Sequence, residues 1–273
     1  MEKTKPKIVV IGNSFGGIKT VRALQAAFKG NSAEITVIER AANIYCNIGS
    51  PRAFCDQVYA EKIFISQEAV FKSEEEGKIV QGTVASFTDK TVTLEDATVI
   101  EFDYLVIASG MSYLPYNIAD ISKDAGLATL ATSTEKIKKA SKITFIGGGP
   151  VGIETAAEIR EYFPDKEVTI VHSGATLLHN FKISDSTKAR LLKKVTSKGI
   201  KVIFGEKAIL PEGSAGLIEG SHEIKTEKGT VIASDLTFCT TGHAIPRTEF
   251  VGASLLNEKK FIKVKDTLQV SFT

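Results

Sequence analysis

The sequence predicts an α/β protein composed of two similar three-layer units, each built on a mainly parallel sheet. Residues 8–17 and 143–152 share one pattern, in which an apolar strand runs into a glycine turn and then a helix. Each half later returns to an apolar strand that ends in small residues, at 104–110 and 236–242. A hydrophobic fraction of 43% and a charged fraction of 24% are normal for a globular α/β chain of 273 residues. The repeated order of elements indicates an internal duplication.

The first half is predicted to begin with a complete βαβ unit. Residues 7–11 form a continuous apolar run, which is typical of a parallel strand covered on both faces. Apolar residues then recur at helical spacing over 15–28. A second apolar strand, 35–38, ends at Glu39.

A small antiparallel insert is predicted to follow. Residues 41–75 are less regular, and short strands are expected around 79–87, 91–94 and 99–101. Their spacing and turns indicate a meander inserted into the first unit. The buried strand at 104–110 then completes the parallel sheet.

The second half is predicted to repeat this organisation after a linker at about 111–120. In chain order, the expected elements are a strand at 143–146, a helix at about 151–162, a strand at 168–171, a helix at about 184–198, a strand at 201–204, a hairpin at about 220–233 and a strand at 236–242. We therefore predict a domain of residues 114–239 inserted into a first domain of residues 1–113 plus 240–273.

The two glycine turns predict that both domains are Rossmann-like and bind dinucleotides. The first glycine of such a turn permits a tight bend, the second lets backbone N–H groups approach a pyrophosphate, and the third lets the helix pack on the strand. The helix N-terminus adds partial positive charge. These positions hold Gly147, Gly149 and Gly152 in the second copy, and Gly12, Ser14 and Gly17 in the first. The alternative for each copy is a tight strand–helix turn without a ligand.

The residue that ends the second strand of each unit is expected to read a ribose. Glu39 can accept hydrogen bonds from both ribose hydroxyls and repels a 2′-phosphate. The second unit has His172 there, followed by Ser173, and both can donate hydrogen bonds to a 2′-phosphate. The pattern favours NADPH over NADH. The alternative is a solvated loop histidine with no cofactor preference.

Glu154 is the one candidate for a catalytic residue. It follows the second glycine turn, on what is expected to be the first turn of the helix. There it either complements the helix dipole or faces the junction at which a nicotinamide meets a flavin.

Cysteine and histidine usage gives no sign of a disulfide framework or a metal site. The chain has three cysteines, and Cys46 and Cys55 are too far apart for a close-spaced redox pair. A thiol–disulfide reductase using these two residues stays open as a weaker alternative. The four histidines lack metal-ligand spacing.

The net charge of +2 gives no argument for a nucleic-acid partner. The N-terminus has no apolar signal core, and no apolar run is long enough to span a bilayer. These features predict a cytoplasmic protein, with a peripheral membrane contact left open.

Taken together, these motifs resemble the two-dinucleotide-binding flavoprotein family of pyridine nucleotide oxidoreductases, and within it the apoptosis-inducing-factor-like branch. The segments that carry the resemblance are 9–17, Glu39, 50–52, 108–110, 147–154, 168–173 and 239–242. The resemblance implies FAD on the N-terminal half and NAD(P)H on the inserted half. It implies that FAD is bound by Gly12, Ser14, Phe15, Gly16, Gly17, Glu39, Arg52, Val84, Ser109 and Gly110. It implies that NAD(P)H is bound by Gly147, Gly149, Pro150, Val151, Gly152, Glu154, His172 and Gly242.

The implied activity is hydride transfer from NAD(P)H to the flavin, followed by electron transfer to a quinone-type acceptor. The alternative is a non-catalytic nucleotide-binding protein that acts as a redox sensor or a cell-death effector. Members of the family carry a Gly-Asp motif that binds FAD and then a C-terminal domain, whereas this chain contains no Gly-Asp dipeptide before Thr273. The resemblance therefore implies an FAD-binding domain that is incomplete at its C-terminal end.

Overall fold

A computed structural model of the chain describes residues 5–28, 32–71, 73, 75–113, 122–210, 216–242 and 244–270. The strands are β1 (Lys7–Ile11), β2 (Glu34–Glu39), β3 (Asn43–Tyr45), β4 (Phe64–Ser66), β5 (Lys78–Gln81), β6 (Val84–Phe87), β7 (Thr91–Leu94), β8 (Val99–Glu101), β9 (Tyr104–Ile107), β10 (Met111–Tyr113), β11 (Lys142–Ile146), β12 (Glu167–His172), β13 (Lys201–Phe204), β14 (Ala208–Ile209), β15 (Leu217–Thr226), β16 (Val231–Cys239) and β17 (Ala244–Pro246). The helices are α1 (Phe15–Ala27), α2 (Ser50–Ala53), α3 (Gln57–Ala60), α4 (Lys123–Lys139), α5 (Pro150–Tyr162) and α6 (Asp185–Ser197). Within the described ranges, no helix is both long and apolar enough to cross a bilayer.

The first unit has a parallel sheet in the order β5-β2-β1-β9. Alternate residues of β1 face opposite layers. Val9 and Ile11 pack against the meander of β6, β7 and β8, whereas Val10 packs against Val21 of α1. Burial of each such side chain contributes roughly 1.5–3 kcal/mol relative to exposure. Cover on both faces explains the continuous apolar run of β1.

The predicted meander differs from the structure at its first strand. Residues 79–87 were expected to form one antiparallel strand. Instead, β5 joins the parallel sheet beside β2, and the meander begins at β6. The chain turns at Gly82 and Thr83 between them, so one apolar run in the sequence supplies two different sheets.

The second unit has one sheet in the order β13-β12-β11-β16-β15-β14. The first four strands are parallel, and β15 and β14 extend the sheet antiparallel. The predicted hairpin and the predicted strand at 236–242 share a single continuous strand, β16. Its first residues pair only with β15, and its last residues pair with both β15 and β11. The α/β class with two Rossmann-like parallel sheets and small antiparallel additions is confirmed.

Helix α4 was not predicted from the sequence. Its buried face combines Leu130 and Ile137 with Gly126, Ser133 and Thr134, so the apolar periodicity is sparse. Thr134 is satisfied because its hydroxyl donates to the carbonyl oxygen of Phe54 at 2.8 Å. Small and hydroxylated residues allow this close packing but give little signal in the sequence.

The chain leaves the first unit and returns to it beside one strand pair, and the two units also share a hydrophobic core. The antiparallel pair β10–β17 lies beside the predicted domain boundaries, which stay a prediction, and residues 114–120 of the predicted linker lie outside the described ranges. The helices α2 and α3 of the first unit share a core with the second. Phe54 meets Phe238 edge-on at 6.2 Å, and Phe238 stacks on Phe145 at 4.8 Å.

The segment 261–270 forms no strand ladder in the described part of the chain. Tight turns at Lys260 and Leu268, with φ of 65° and 64°, fold this part of the chain back on itself. Only isolated bridges occur there among the described residues.

Candidate functional site

Both glycine turns lie where a parallel strand meets a helix, and their first and third glycines are required by the fold itself. Gly12 has φ of +98°, and a Cβ there would overlap the carbonyl oxygen of Ala108. Gly147 has φ of +117°, and its Cβ would lie 2.7 Å from the carbonyl oxygen of Thr240. A Cβ at the third glycine would overlap the carbonyl oxygen of the first in both copies, because the helix packs so closely on the strand. A tight turn without a ligand would explain these four glycines.

The middle glycine of the second turn needs another explanation. Gly149 has φ of −83°, which any residue can adopt, and a Cβ there would meet no atom within 4 Å in the part of the chain that the structure describes. The open space lies at the N-terminus of α5, where backbone N–H groups and the helix dipole favour an anion. This cradle fits the pyrophosphate of a dinucleotide, because the described residues leave room in front of Gly149 that a pyrophosphate at the helix N-terminus would fill.

The middle position of the first turn is Ser14. It precedes α1 and makes no side-chain capping hydrogen bond to that helix. A cavity of about 480 Å³ lies beside it, within the range of roughly 300–1,000 Å³ that is usual for cofactor and ligand sites. The predicted site residues that line this cavity are Gly12, Ser14, Phe15, Gly16, Glu39, Val84, Ser109 and Gly110. Gly17 lies behind the turn, where it lets α1 approach β1.

Glu39 is fixed at the edge of this cavity by two backbone donors. Its Oε2 accepts a hydrogen bond from the N–H of Asn13 at 2.7 Å, and its Oε1 accepts one from the N–H of Ala41 at 3.0 Å. Each carboxylate oxygen keeps further acceptor capacity for ribose hydroxyls. The predicted role of Glu39 therefore fits its geometry.

Asn13 and Gln67 support this arrangement and were not identified from the sequence. The Asn13 side chain is 1% exposed, and its Nδ2 donates to the Oε1 of Gln67. Gln67 in turn donates from Nε2 to the carbonyl oxygen of Ala41 at 3.1 Å. The side-chain amides of Asn13 and Gln67 thus connect Asn13 to Ala41, the two residues whose backbone N–H groups bind the Glu39 carboxylate. The Oδ1 of Asn13 is buried without a partner among the described residues.

The opposite wall of the cavity is closed by the strand pair β10–β17. The hydroxyl of Ser109 donates to the carbonyl oxygen of Arg247 at 2.6 Å, and the N–H of Arg247 donates to the carbonyl oxygen of Gly110 at 3.1 Å. Arg247, Glu249 and Phe250 line the cavity but were not predicted. These residues follow the second small-residue turn. They reach the cavity of the first unit only because the chain returns there from the second unit.

Arg52 is not among the residues that line this cavity. It lies on α2 and binds Glu158 of α5, with its Nε at 3.2 Å from both carboxylate oxygens and its Nη2 at 3.0 Å from Oε1. Its guanidinium also lies over the ring of Tyr59, 5.3 Å from the centroid. Arg52 therefore bridges the two units. Its contact with FAD stays a prediction.

Glu154 begins the second turn of α5, not the first as expected, because the helix starts at Pro150. This position weakens the helix-dipole alternative, since the dipole acts mainly within the first turn. Partial desolvation, and the negative charge of Glu158 one turn further on, raise the pKa of the Glu154 carboxyl. Glu154 is exposed and lies one turn before Glu158, which binds Arg52 of the first unit. A carboxyl with a raised pKa at this place fits a residue that tunes the reaction, which stays a prediction.

His172 is a buried residue, 6% exposed, so the alternative of a solvated loop histidine does not hold. Its Nδ1 accepts a hydrogen bond from the N–H of Gly148 at 3.0 Å, and its Nε2 lies 2.9 Å from the Nδ1 of His179. Burial, and next the neighbouring His179, lower the pKa of His172. Because both ring nitrogens have protein partners, His172 directs no free donor at a ribose in this structure. The NADPH preference stays a prediction that cannot rest on this side chain alone.

The remaining predicted residues of the second unit gather around the same turn. Pro150 and Val151 open α5 next to Gly149, and Val151 is exposed. Gly242 follows β16, which pairs with β11 directly before the glycine turn. A Cβ at Gly242 would meet no atom of the described residues within 4 Å, but its φ of +89° by itself favours glycine.

The cysteines do not have the properties of a redox pair. Cys46, Cys55 and Cys239 are free thiols. Burial raises the pKa of Cys55 to about 12, which keeps it a thiol rather than the reactive thiolate. This observation disfavours the thiol–disulfide reductase alternative.

Comparison with known proteins agrees with this geometry. Residues 6–273 match the family described as "Pyridine nucleotide-disulphide oxidoreductase". The chain is 30% identical over 290 residues to Apoptosis-inducing factor homolog B of Dictyostelium discoideum, with 99% of this chain and 73% of that protein covered. It is 26% identical over 268 residues to Ferroptosis suppressor protein 1 of Homo sapiens, with 96% and 70% covered.

Solved structures share the fold. The sulfide:quinone oxidoreductase of Aquifex aeolicus matches with a TM-score of 0.75 at 18% identity, over 98% of this chain and 66% of that one. The water-forming NADH oxidase of Lactobacillus brevis, bound to NADH, matches with a TM-score of 0.63 at 20% identity, over 93% and 58%. The chain thus spans roughly two thirds or less of the length of these two structures. On the family match and the geometry of its two glycine turns, the chain belongs to the pyridine nucleotide-disulphide oxidoreductase family, and its cofactors are FAD and NAD(P)H.

Proposed function

We propose that the protein is an FAD-dependent NAD(P)H oxidoreductase that passes electrons to a quinone-type acceptor. The observation that carries the proposal is the presence of two dinucleotide turns in one chain. One adjoins a cavity of about 480 Å³, and the other leaves open space in front of Gly149. Two dinucleotides held by one protein can exchange electrons directly, whereas a simple nucleotide binder needs only one site.

The residues of the first unit would hold FAD. The turn from Gly12 to Gly17 and the N-terminus of α1 would bind the pyrophosphate, and Glu39 the adenosine ribose. Val84 would meet the adenine through its backbone, and Ser109 and Gly110 would close over the cofactor. When bound, FAD supplies the acceptor for hydride from NAD(P)H.

The residues of the second unit would orient the nicotinamide dinucleotide. The open space at Gly149 and the N-terminus of α5 would receive its pyrophosphate. Positioning is the main contribution that the protein makes to such a transfer, because the cofactors carry the chemistry. Glu154, with its raised pKa, would adjust the charge near the junction.

The identification of the electron acceptor as a quinone is the more specific part of the proposal. It is supported by the name of one structure with this fold, the sulfide:quinone oxidoreductase. A cytoplasmic location with a peripheral membrane contact belongs to the same proposal, since many quinones are dissolved in membranes. The exposed apolar side chains of Phe261, Val264 and Leu268 support such a contact, and cell fractionation tests it.

A second candidate function is a nucleotide-binding redox sensor or cell-death effector without turnover. It is favoured by Ser14 at the middle position of the first turn, where a side chain narrows the approach to the pyrophosphate. Binding of NAD(P)H by a protein that takes up no flavin would support this candidate over the first.

The acceptor is tested by reoxidation of the reduced flavoprotein. We expect a water-soluble short-chain quinone to reoxidise it much faster than oxygen or a small disulfide. A variant with both Cys46→Ser and Cys55→Ser is the control, and its rate should equal that of the unsubstituted protein. Reoxidation that is no faster with the quinone than with oxygen would remove the quinone from the proposal. Loss of disulfide-dependent turnover in the control would favour the thiol reductase.

A further inference from the structure

A second cavity, the basal cavity, lies at the end of the first parallel sheet that is opposite to the glycine turn. Its volume is about 600 Å³, within the range that is usual for ligand sites. It is bounded by the N-terminal parts of β1, β2 and β5 and by β8 of the meander. It shares no lining residue with the cavity beside Ser14, so it is a separate space.

The basal cavity has an apolar floor. Val9 belongs to the core between the sheet and the meander, and Val80 and Ile100 pack against that core. All three side chains also line the cavity, where the meander leaves the sheet uncovered. An apolar part of a ligand would cover them and remove apolar surface from water.

Thr36 is the buried polar residue of this floor. Val9 lies opposite it on β1 and Lys78 lies opposite it on β5, so the three residues form one row across the sheet. Thr36 is 8% exposed, and its hydroxyl makes no hydrogen bond with a residue that the structure describes. A buried hydroxyl without a partner is unusual in proteins, and a ligand atom in the cavity would supply that partner.

Two lysines and two glutamates line the basal cavity, but their charges are unevenly paired. The Nζ of Lys7 lies 2.7 Å from the Oε2 of Glu101. The hydrogen bond and the charge of Glu101, with a smaller contribution from the charge of Glu34, raise the pKa of Lys7. Lys78, beside Thr36, forms no ion pair with a described residue. This end of the cavity therefore offers a hydroxyl donor and one uncompensated positive charge.

We propose that the basal cavity binds a small molecule with one carboxylate on an apolar body, such as an aromatic or a short aliphatic acid. The carboxylate would accept from the Thr36 hydroxyl and pair with Lys78, and the apolar body would lie on the floor. A single negative charge matches the single unpaired lysine, whereas a phosphate dianion would meet the two glutamates without a second free cation. The inference does not depend on the proposed function, because neither dinucleotide turn takes part in this site.

The test is titration calorimetry of the purified chain, with and without FAD, using hexanoate, hexanol and hexylammonium as probes. We expect hexanoate to bind with a Kd of about 1 mM, a normal affinity for so small a ligand, and more tightly than the other two probes. Thr36→Val keeps the shape of the side chain and removes the hydroxyl, so it should weaken hexanoate binding by about tenfold. It should not lower the melting temperature, because the hydroxyl has no partner in the free protein. Lys78→Gln should remove the preference for hexanoate over hexanol.

Thr169→Val is the matched control. Thr169 occupies the corresponding place in the second unit, opposite Lys201 in the parallel register, but it does not line the basal cavity. Its substitution should leave the hexanoate affinity unchanged. Failure of hexanoate to bind, equal affinity for hexanoate and hexanol, or an unaltered hexanoate affinity in Thr36→Val would overturn the inference. Each of these results can occur while NAD(P)H still reduces the flavin, so this inference and the proposed function fail separately.

Discussion

Glu39 and His172 make the same backbone contact in the two halves of the molecule. Each ends the second strand of its sheet, and each accepts the N–H of the residue after the first glycine. The distance is 2.7 Å from Asn13 to the Glu39 Oε2 and 3.0 Å from Gly148 to the His172 Nδ1. The duplication therefore extends to single hydrogen bonds, but one half uses a charged acceptor and the other a neutral ring. We expect this difference to separate a site that repels a 2′-phosphate from one that tolerates it.

Substitution by alanine should affect stability and nucleotide binding differently at the middle and the first glycine of the second turn. Gly149→Ala should change the free energy of unfolding by less than about 1 kcal/mol, because a poorer helix cap offsets a less flexible unfolded chain. It should nevertheless weaken NAD(P)H binding, because the new methyl group enters the open space. Gly147→Ala should destabilise the fold, since its φ is +117° and its Cβ would lie 2.7 Å from the oxygen of Thr240. Thermal unfolding and nucleotide titration separate the two effects. Equal loss of stability in both variants would show that Gly149 serves the fold alone.

Asn13→Asp should weaken FAD binding. The substitution keeps the size of the side chain but replaces the donor to Gln67 by a carboxylate oxygen close to Glu39. Gln67, the acceptor, is only partly buried, so loss of the donor should cost toward the lower end of about 1–3 kcal/mol. Fluorescence titration with FAD measures the change, and Asn13→Ala separates the lost hydrogen bond from the added charge. Unaltered FAD affinity in the aspartate variant would mean that the amide pair does not support the site.

The stability of the fold should depend on pH through His172. Burial, and next the neighbouring His179, lower the pKa of His172 below the value of about 6.5 for an unfolded histidine. Its contribution to stability is therefore fully present above about pH 6.5 and is lost as the pH falls through the lower, folded-state pKa. Urea unfolding at neutral and acidic pH should show a smaller loss for His172→Asn, whose amide oxygen can accept from Gly148 without titrating. Identical pH dependence in both proteins would contradict this assignment.

Substitution of Glu154 should slow the reduction of the flavin without loss of bound flavin. Glu154→Gln should bind FAD normally and reduce the rate of flavin reduction by about tenfold, equivalent to roughly 1.4 kcal/mol. Glu158→Gln is a matched substitution one turn further on, and removal of its charge should lower the pKa of Glu154. Stopped-flow reduction over a range of pH measures both effects. An unchanged rate in Glu154→Gln would remove its catalytic role.

The sequence predicted those parts of the fold that are buried on both faces. The apolar runs of β1 and β11 and the glycine turns after them were identified because each feature is local in the chain. Helix α4 was missed because its buried face uses Gly126, Ser133 and Thr134. The strand at 79–87 was assigned to one sheet because a pattern of apolar residues does not show where a chain changes partners.

For the candidate site, too, only the features that are local in the chain could be predicted. The glycines, Glu39 and His172 follow from motif spacing, and the structure gathers them at the ends of the parallel strands. Gln67, Arg247 and His179 lie outside the motifs, and their contacts depend on the folded chain. Position alone did not indicate that both nitrogens of His172 would be engaged.

We propose above all that this chain holds a flavin which NAD(P)H can reduce. The most direct measurement is the visible absorption spectrum of the purified protein after incubation with FAD, recorded anaerobically before and after addition of NADPH or NADH. We expect a bound flavin whose visible absorbance bleaches on addition of the dinucleotide. A folded protein that binds NAD(P)H but cannot take up FAD, or a bound flavin that keeps its colour, would contradict it.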